Sequence, residues 1–133
     1  MSGGGEERAG AASETVLVVE DNAELRALTS DRLQRLGDHV IEADCGPTAL
    51  AKLSVGEKID LVFSDVAMPG GLPGYELAAR VRELFPSIRV LLTSGYDANL
   101  AAEQDTTGSN LKVLRKPYRQ ADLAHAVCEA LDS

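Results

Sequence analysis

The sequence Asp60-Leu61-Val62-Phe63-Ser64-Asp65-Val66-Ala67-Met68-Pro69 places an aspartate, Asp65, at the end of a short apolar run. Such a run is typical of a strand that is buried in a sheet. An ionisable side chain is costly at the end of a buried strand unless a charge partner or a reaction requires it. Asp65 is therefore the first candidate functional residue.

Polar residues close three other apolar runs in the same way. Glu20-Asp21 follows residues 16–19, Thr93-Ser94 follows residues 90–92, and Lys116-Pro117 follows residues 111–115. Open α/β sheets place their functional sites at the carboxyl ends of the strands. We therefore expect three carboxylates, a hydroxyl and an ammonium group to lie in one site.

Strand-like and helix-like segments alternate five times along the chain. The predicted strands are residues 15–19, 39–43, 59–64, 89–93 and 111–115. The predicted helices are residues 23–36, 47–53, 74–85, 98–104 and 120–131, and in the third helix Leu77, Ala78, Val81, Leu84 and Phe85 face inward. Short connections between βα units imply right-handed crossovers and one parallel sheet. The sequence predicts an α/β fold, a single doubly wound (βα)5 domain with a five-stranded sheet of order 2-1-3-4-5 (flavodoxin-like), in which strands one and three are neighbours.

Length and composition favour one globular domain. Of the 133 residues, 1–13 are expected to form a flexible tail or linker and 14–133 the folded domain. A net charge of −8 argues against nucleic acid as a partner. No apolar stretch approaches the roughly 20 residues needed for a membrane span. Cys45 and Cys128 lack metal-site or disulfide spacing, which favours reduced thiols and a cytoplasmic location.

The clustered acids require positive charge. Two carboxylates about 5 Å apart repel by roughly 3 kcal/mol at an effective dielectric constant of about 20. Lys116 supplies one positive charge, and Mg²⁺ suits the remainder because it prefers oxygen ligands. Such a site can transfer a phosphoryl group. Asp65, alone at its strand end, is then the nucleophile, Glu20 and Asp21 are the acids on the metal side, and the Thr93 hydroxyl bonds to the new phosphoryl group.

These motifs resemble those of receiver domains, the phosphorylated modules of bacterial two-component response regulators. The resemblance covers about residues 14–132 and rests on Glu20-Asp21, residues 65–69, Gly74, Thr93-Ser94-Gly95 and Lys116-Pro117. It implies that Asp65 accepts a phosphoryl group from a histidine kinase or a histidine phosphotransfer protein. It also implies Mg²⁺ bound through Asp21, Asp65 and the backbone carbonyl of Ala67, with Glu20 acting through water.

Within the family, the chain most resembles two kinds of receiver. Residues 68–71, 93–96 and 115–118 look most like receivers at the carboxyl ends of hybrid sensor kinases, or like stand-alone single-domain regulators. A receiver is a signalling module that assists its own phosphorylation and dephosphorylation, and not a conventional enzyme. Because the sequence ends soon after the last predicted helix, we expect the output to be a protein partner, a relay to another histidine, or a kinase of which this domain is an excised part.

The sequence departs from the family pattern at the switch position. Many receivers carry an aromatic residue three positions before the lysine, and here that residue is Val113. Either Tyr96 or Tyr118 takes its role, or the switch works through the loop and the fourth predicted helix.

Three features concern the segments that follow the strands at the site. Residues 70–73 make the loop after Asp65 one residue longer than in the common form of receiver. Ala67 and Gly95 stand two residues after Asp65 and Thr93, and neither side chain can orient a water molecule for attack on the phosphoryl group. A cis bond between Lys116 and Pro117 is expected, since a cis bond before proline costs only about 0.5–1 kcal/mol and would aim the ammonium at the site.

Other classes of function stay open. A binding module that works without phosphorylation is the main alternative. The complete acid set with Thr93 and Lys116 argues against it, but the missing aromatic at Val113 keeps it open. A haloacid-dehalogenase-like phosphohydrolase normally has a second aspartate two residues after the nucleophile, where Ala67 stands. A flavodoxin-type electron carrier needs a phosphate-binding loop after the first strand, and Glu20-Asp21 would repel phosphate there.

Overall fold

Five parallel strands and four helices form the described part of the chain. The computed structural model describes residues 14–56, 58–66, 72–94, 112–115 and 118–132. The strands are β1 (Thr15–Val19), β2 (His39–Ala43), β3 (Leu61–Asp65), β4 (Arg89–Ser94) and β5 (Lys112–Arg115). The helices are α1 (Ala23–Arg35), α2 (Gly46–Ser54), α3 (Gly74–Leu84) and α4 (Gln120–Asp132). The sheet order β2-β1-β3-β4-β5 confirms the doubly wound, flavodoxin-like fold.

The predicted boundaries agree with the described elements to within two residues. The largest difference is at β3, which begins at Leu61 and includes Asp65 as its last residue. Differences of this size are common where strands and helices fray. The predicted tail, residues 1–13, and the predicted fourth helix, residues 98–104, lie outside the described residues.

Apolar side chains cover both faces of the sheet. Alternate residues of a strand point to opposite faces. Val16 and Val18 of β1 accordingly belong to one buried cluster, and Leu17 and Val19 belong to another. On the face of Val16 and Val18, helices α1 and α4 and the residue after α1 contribute Leu33, Leu36, Leu123 and Val127. On the face of Leu17 and Val19, helices α2 and α3 contribute Ala49, Leu53, Leu77 and Val81. Burial on both faces explains the nearly continuous apolar runs in the sequence.

Some leucines that follow the helical spacing are not buried. Leu25 and Leu28 of α1 are 42% and 48% exposed, because the inward stripe of this helix continues through Ser30, whose hydroxyl donates to Glu42 of β2 at 2.6 Å. The inward orientation predicted for Leu84 is wrong, since its side chain is exposed. Phe85, which directly follows α3, packs against the core instead.

Gly74 allows the start of α3 to lie directly against the end of β3. Its N–H donates to the Val66 carbonyl at 2.9 Å. A Cβ atom at this position would lie 2.8 Å from the Cα of Val66 and against the carbonyl oxygen of Asp65. These are backbone atoms of the segment that carries Asp65, so they cannot turn aside as a flexible side chain could. Only glycine fits here.

We expect Gly74→Ala to destabilise the protein by about 1–3 kcal/mol, the usual cost of forcing an extra carbon into a packed region. Urea unfolding at constant slope measures the change. In an unobstructed helix the same substitution stabilises by about 0.5–1 kcal/mol. A neutral or stabilising effect would therefore contradict the close approach of α3 to β3.

Candidate functional site

The carboxyl ends of β1, β3 and β4 lie side by side. Val19 is paired with Ser64 in the register of β1 and β3, and Asp65 is paired with Thr93 in the register of β3 and β4. The Val66 N–H donates to the Thr93 carbonyl at 2.8 Å. Glu20 follows β1 directly, so the sheet brings an acid, the candidate nucleophile and a hydroxyl residue to one edge.

A cavity of about 260 Å³ opens at this edge. Glu20, Asp65, Thr93 and Tyr118 all line it. Its remaining walls come from β1, β3 and α1, and they consist of Val18, Val19, Leu25, Leu28, Thr29, Arg32, Phe63 and Ser64. The cavity thus combines acidic groups with an apolar rim on the side of α1, formed by the exposed Leu25 and Leu28.

Burial differs among the three predicted carboxylates. Glu20 is buried, Asp65 is half-buried and Asp21 is exposed. Thr93, the predicted hydroxyl, is buried beside Asp65. Asp65 is therefore the member of the set that is held in place by its strand and still open to a reactant in the cavity.

Local hydrogen bonds hold the acidic pair at the start of α1. The side chain of Glu20 accepts the Asn22 N–H at 3.1 Å, and the side chain of Asn22 caps the helix by accepting the Leu25 N–H at 2.9 Å. The backbone carbonyl of Glu20 accepts a bond from the Arg26 guanidinium at 2.8 Å. The turn that presents Glu20 and Asp21 is thus closed by both backbone and side-chain bonds.

A fourth carboxylate, which was not predicted from the strand ends, lies at this edge of the sheet. Asp44 directly follows β2, whose last residue, Ala43, accepts the Glu20 N–H at 3.1 Å. Hydrogen bonds from the side chains of Cys45 and Thr48 hold the pKa of Asp44 below its ordinary value. The signal was present, since Asp44 follows a predicted strand just as Glu20 does.

The oxygen donors at the site suit Mg²⁺. Glu20, Asp21 and Asp65 offer carboxylates, which are the ligands that this ion prefers. Within the described ranges, no three His, Cys, Asp or Glu side chains form a ready metal-binding cluster. Mg²⁺ does not require one, because it commonly uses one or two carboxylates and keeps several waters. The donor chemistry therefore fits Mg²⁺, and the described residues that line the cavity include no thiolate or imidazole for zinc.

Tyr118 is tied to α1 beside the cavity. The Arg32 guanidinium donates to the Tyr118 carbonyl at 3.3 Å and lies 5.4 Å from the centre of its ring. Gln120, at the start of α4, donates to the Arg32 carbonyl at 2.8 Å. Val113 of β5 is half-buried against the core. The structure places Tyr118 at the site, and Tyr96 lies outside the described residues.

Other predicted site residues also lie outside the described part. These are Lys116, Pro117 and Ala67. Their predicted roles, and the expected cis bond between Lys116 and Pro117, stay predictions.

The chain belongs to the response regulator receiver domain family, whose family model matches residues 16–128. This match confirms the family expected from the motifs. The protein is accordingly a receiver domain of two-component signalling. Within the described residues, no helix has the length and apolar character required to cross a membrane.

The similar curated proteins include two kinds of signalling protein. Response regulator receiver protein CpdR of Brucella abortus is 30% identical over 112 residues, which are 84% of this chain and 92% of that protein. Sensor kinase CckA of the same organism is 35% identical over 121 residues, which are 90% of this chain but 13% of the kinase. The chain therefore spans nearly all of one relative and a small part of the other.

Solved structures support the same fold. A response regulator receiver protein from Sinorhizobium medicae superposes with a TM-score of 0.81 at 28% identity, covering 91% of this chain and 96% of that one. Chemotaxis protein CheY4 of Vibrio cholerae superposes with a TM-score of 0.78 at 26% identity, covering 90% of this chain and 99% of that one.

Proposed function

We propose that this receiver takes a phosphoryl group from a histidine kinase or a histidine phosphotransfer protein onto Asp65, with Mg²⁺, and thereby switches a protein-protein interaction surface. The observation that carries the proposal is the position of Asp65. It ends β3 half-buried, in one cavity with Glu20 and Thr93. A carboxylate with this access can act as a nucleophile.

Phosphoryl transfer needs little covalent chemistry from the protein. One carboxylate oxygen of Asp65 attacks the phosphorus, and the histidine nitrogen of the donor leaves with the electron pair of the broken P–N bond. Asp21, Asp65 and the Ala67 carbonyl would hold Mg²⁺, with Glu20 acting through water. The bound ion would neutralise charge on the phosphoryl oxygens.

The remaining site residues would respond to the new group. Lys116 would pair with a phosphoryl oxygen and, by neutralising it, stabilise the transferred group. Thr93 lines the same cavity as Asp65, so its hydroxyl can donate a hydrogen bond to another phosphoryl oxygen. Tyr118 is joined to α1 through Arg32 and would pass the resulting movement to the surface.

The partner would approach over α1. Leu25 and Leu28 are exposed and line the cavity that contains Asp65. Exposed apolar side chains grouped beside a reactive group are typical of a protein contact. A donor helix on this rim would place its phosphohistidine over Asp65. We further propose that the exchange takes place in the cytoplasm, in keeping with the two free cysteines.

Labelling with a small phosphodonor tests the proposal. Incubation with acetyl phosphate or phosphoramidate and Mg²⁺ should add one phosphoryl group, as measured by intact mass. No incorporation would favour the alternative of a binding module that works without phosphorylation. Continuous release of phosphate from a phosphate ester, without a stable adduct, would favour the phosphohydrolase.

We expect Asp21→Ala to lose phosphorylation without losing stability. Removing one of several clustered acids weakens Mg²⁺ binding but relieves their mutual repulsion. In metal-free buffer the variant should be as stable as the parent, or more stable, by urea unfolding. Asp31→Ala removes an exposed acid of α1 and serves as the control, with unchanged labelling. A clear loss of metal-free stability in Asp21→Ala would contradict the repulsive cluster.

A further inference from the structure

Arg26 joins the acidic pair to the neighbouring strand. Its guanidinium donates to the backbone carbonyl of Glu20 at 2.8 Å and lies 3.7 Å from the carboxylate of Glu42 on β2. Glu42 in turn accepts the hydroxyl proton of Ser30 at 2.6 Å. Helix α1 and strand β2 are thus linked through one arginine that also holds the end of β1.

These bonds restrict Glu20 from several directions. Its N–H donates to Ala43 of β2, its carbonyl accepts from Arg26, and its side chain accepts from Asn22. Asp21 is the next residue in the chain, so the direction in which its carboxylate points depends on the peptide plane that Arg26 holds.

The surroundings strengthen the contact of Arg26. Its side chain is 21% exposed and Glu20, whose carbonyl it contacts, is buried, so water competes little for that hydrogen bond. Hydrogen bonds from a charged donor are about twice as strong as neutral ones. The planar fork of arginine can also serve two acceptors at once, which a lysine at the same place could not do as well.

We propose that Arg26 is a positioning residue for the Mg²⁺ site: through the Glu20 carbonyl it sets the placement of Glu20 and Asp21 relative to Asp65. This inference rests on the proposed function and deepens it, because neither the family match nor the motifs assign a role to Arg26. Glu42 and Ser30 complete the arrangement by holding the guanidinium.

A role for the charge alone predicts the opposite result. The positive charge of Arg26 lies near Glu20 and Glu42 and contributes to the lowered pKa of Asp44. A cation repels a second cation, so removing a purely electrostatic Arg26 would tighten Mg²⁺ binding. Removing a positioning Arg26 would weaken it. The sign of the change therefore separates the two roles.

The test is a titration with Mg²⁺ alone, in which binding is measured by calorimetry and by the rise in the midpoint of thermal unfolding. Arg26→Met keeps the aliphatic length and should raise the half-saturating Mg²⁺ concentration by about tenfold, the lower range for loss of a supporting partner of a metal ligand. Arg35→Met is the matched control. Arg35 belongs to the same helix, is 71% exposed and pairs one turn back along the helix with Asp31 at 2.9 Å. Its half-saturating concentration should equal that of the parent.

Glu42→Gln provides a second variant with little risk to folding, because Glu42 is exposed. It leaves the Arg26–Glu20 bond in place but loosens the guanidinium, so it should shift the titration less than Arg26→Met and in the same direction. Because Glu42→Gln also removes a negative charge, Glu24→Gln, which removes an exposed acid from the first turn of α1, measures the effect of the charge alone and should shift the titration less than Glu42→Gln. Unchanged or tighter Mg²⁺ binding in Arg26→Met would overturn the proposal. If that variant does not fold, a shift in Glu42→Gln no larger than that in Glu24→Gln overturns it instead.

The titration involves no phosphoryl transfer, so the two proposals fail separately. A parent that binds Mg²⁺ but takes no phosphoryl group would contradict the proposed function and leave the role of Arg26 in place. A parent without saturable Mg²⁺ binding would overturn both.

Discussion

Asp65→Asn is expected to reduce phosphoryl incorporation from acetyl phosphate to background. The substitution keeps the shape of the side chain but replaces the nucleophilic carboxylate with a neutral amide, which cannot attack phosphorus. Intact mass after incubation with Mg²⁺ measures the result. Because Asp65 ends a strand that is paired on both sides, the variant should remain folded.

Asp60→Asn is the matched control, since Asp60 precedes the same strand at its other end. Its carboxylate accepts the Thr15 N–H at 2.9 Å, and an asparagine oxygen can accept the same bond. Asp60→Asn should therefore be labelled like the parent. Undiminished labelling of Asp65→Asn would place the phosphoryl group elsewhere and remove the basis of the proposed function.

Leu28→Arg is expected to reduce phosphotransfer from a phosphorylated histidine phosphotransfer domain by about tenfold or more, with labelling by acetyl phosphate unchanged. A donor domain bound on α1 would have to bury the charge of the new arginine without an opposite charge beside it. A small phosphodonor does not contact this rim. Interface hot spots, which cluster near the centre of a contact, contribute about 2 kcal/mol or more. The phosphotransfer domain used in this experiment is one that transfers its phosphoryl group to the parent protein.

Val55→Arg controls for adding an arginine to the surface. Val55 is 73% exposed, lies in the turn after α2 and does not line the cavity. Its transfer rate should match that of the parent. Equal rates for Leu28→Arg and Val55→Arg would show that the partner does not use α1.

The fold could be predicted from the sequence because each central strand of the sheet is covered on both faces. Burial on both faces requires continuous apolar runs, and the polar residue that ends a run then stands out, as Asp65 does. The same signal located Glu20 and Thr93. It was also present at Asp44, but β2 is a less buried edge strand, so the polar residue that ends it stands out less.

The side of a helix that faces the core was harder to predict. In α1 the spacing of leucines suggests one apolar stripe, yet Leu25 and Leu28 extend beyond the covered part and Ser30 occupies an inward position. The hydroxyl is accepted there because Glu42 lies opposite on β2. Such pairings between a helix and a strand depend on tertiary structure, and spacing along the chain does not contain them.

The role inferred for Arg26 also depends on tertiary structure. Nothing in the order of residues links Arg26 to Glu42, which is 16 positions away and on another element. The link exists because β2 is placed beside β1 and α1 packs over both. The site residues were predictable from strand ends, whereas the residues that support them became visible only in three dimensions.

Chemical mapping of the phosphoryl group tests the central claim most directly. Reduction of the labelled parent with borohydride converts a phosphoaspartate to homoserine, and peptide mass spectrometry then locates the converted residue. Conversion at Asp65 alone, and only in the sample treated with phosphodonor and Mg²⁺, is the predicted result. Conversion at another aspartate, or at none in a protein that has gained a phosphoryl group, would contradict the claim that Asp65 is the acceptor.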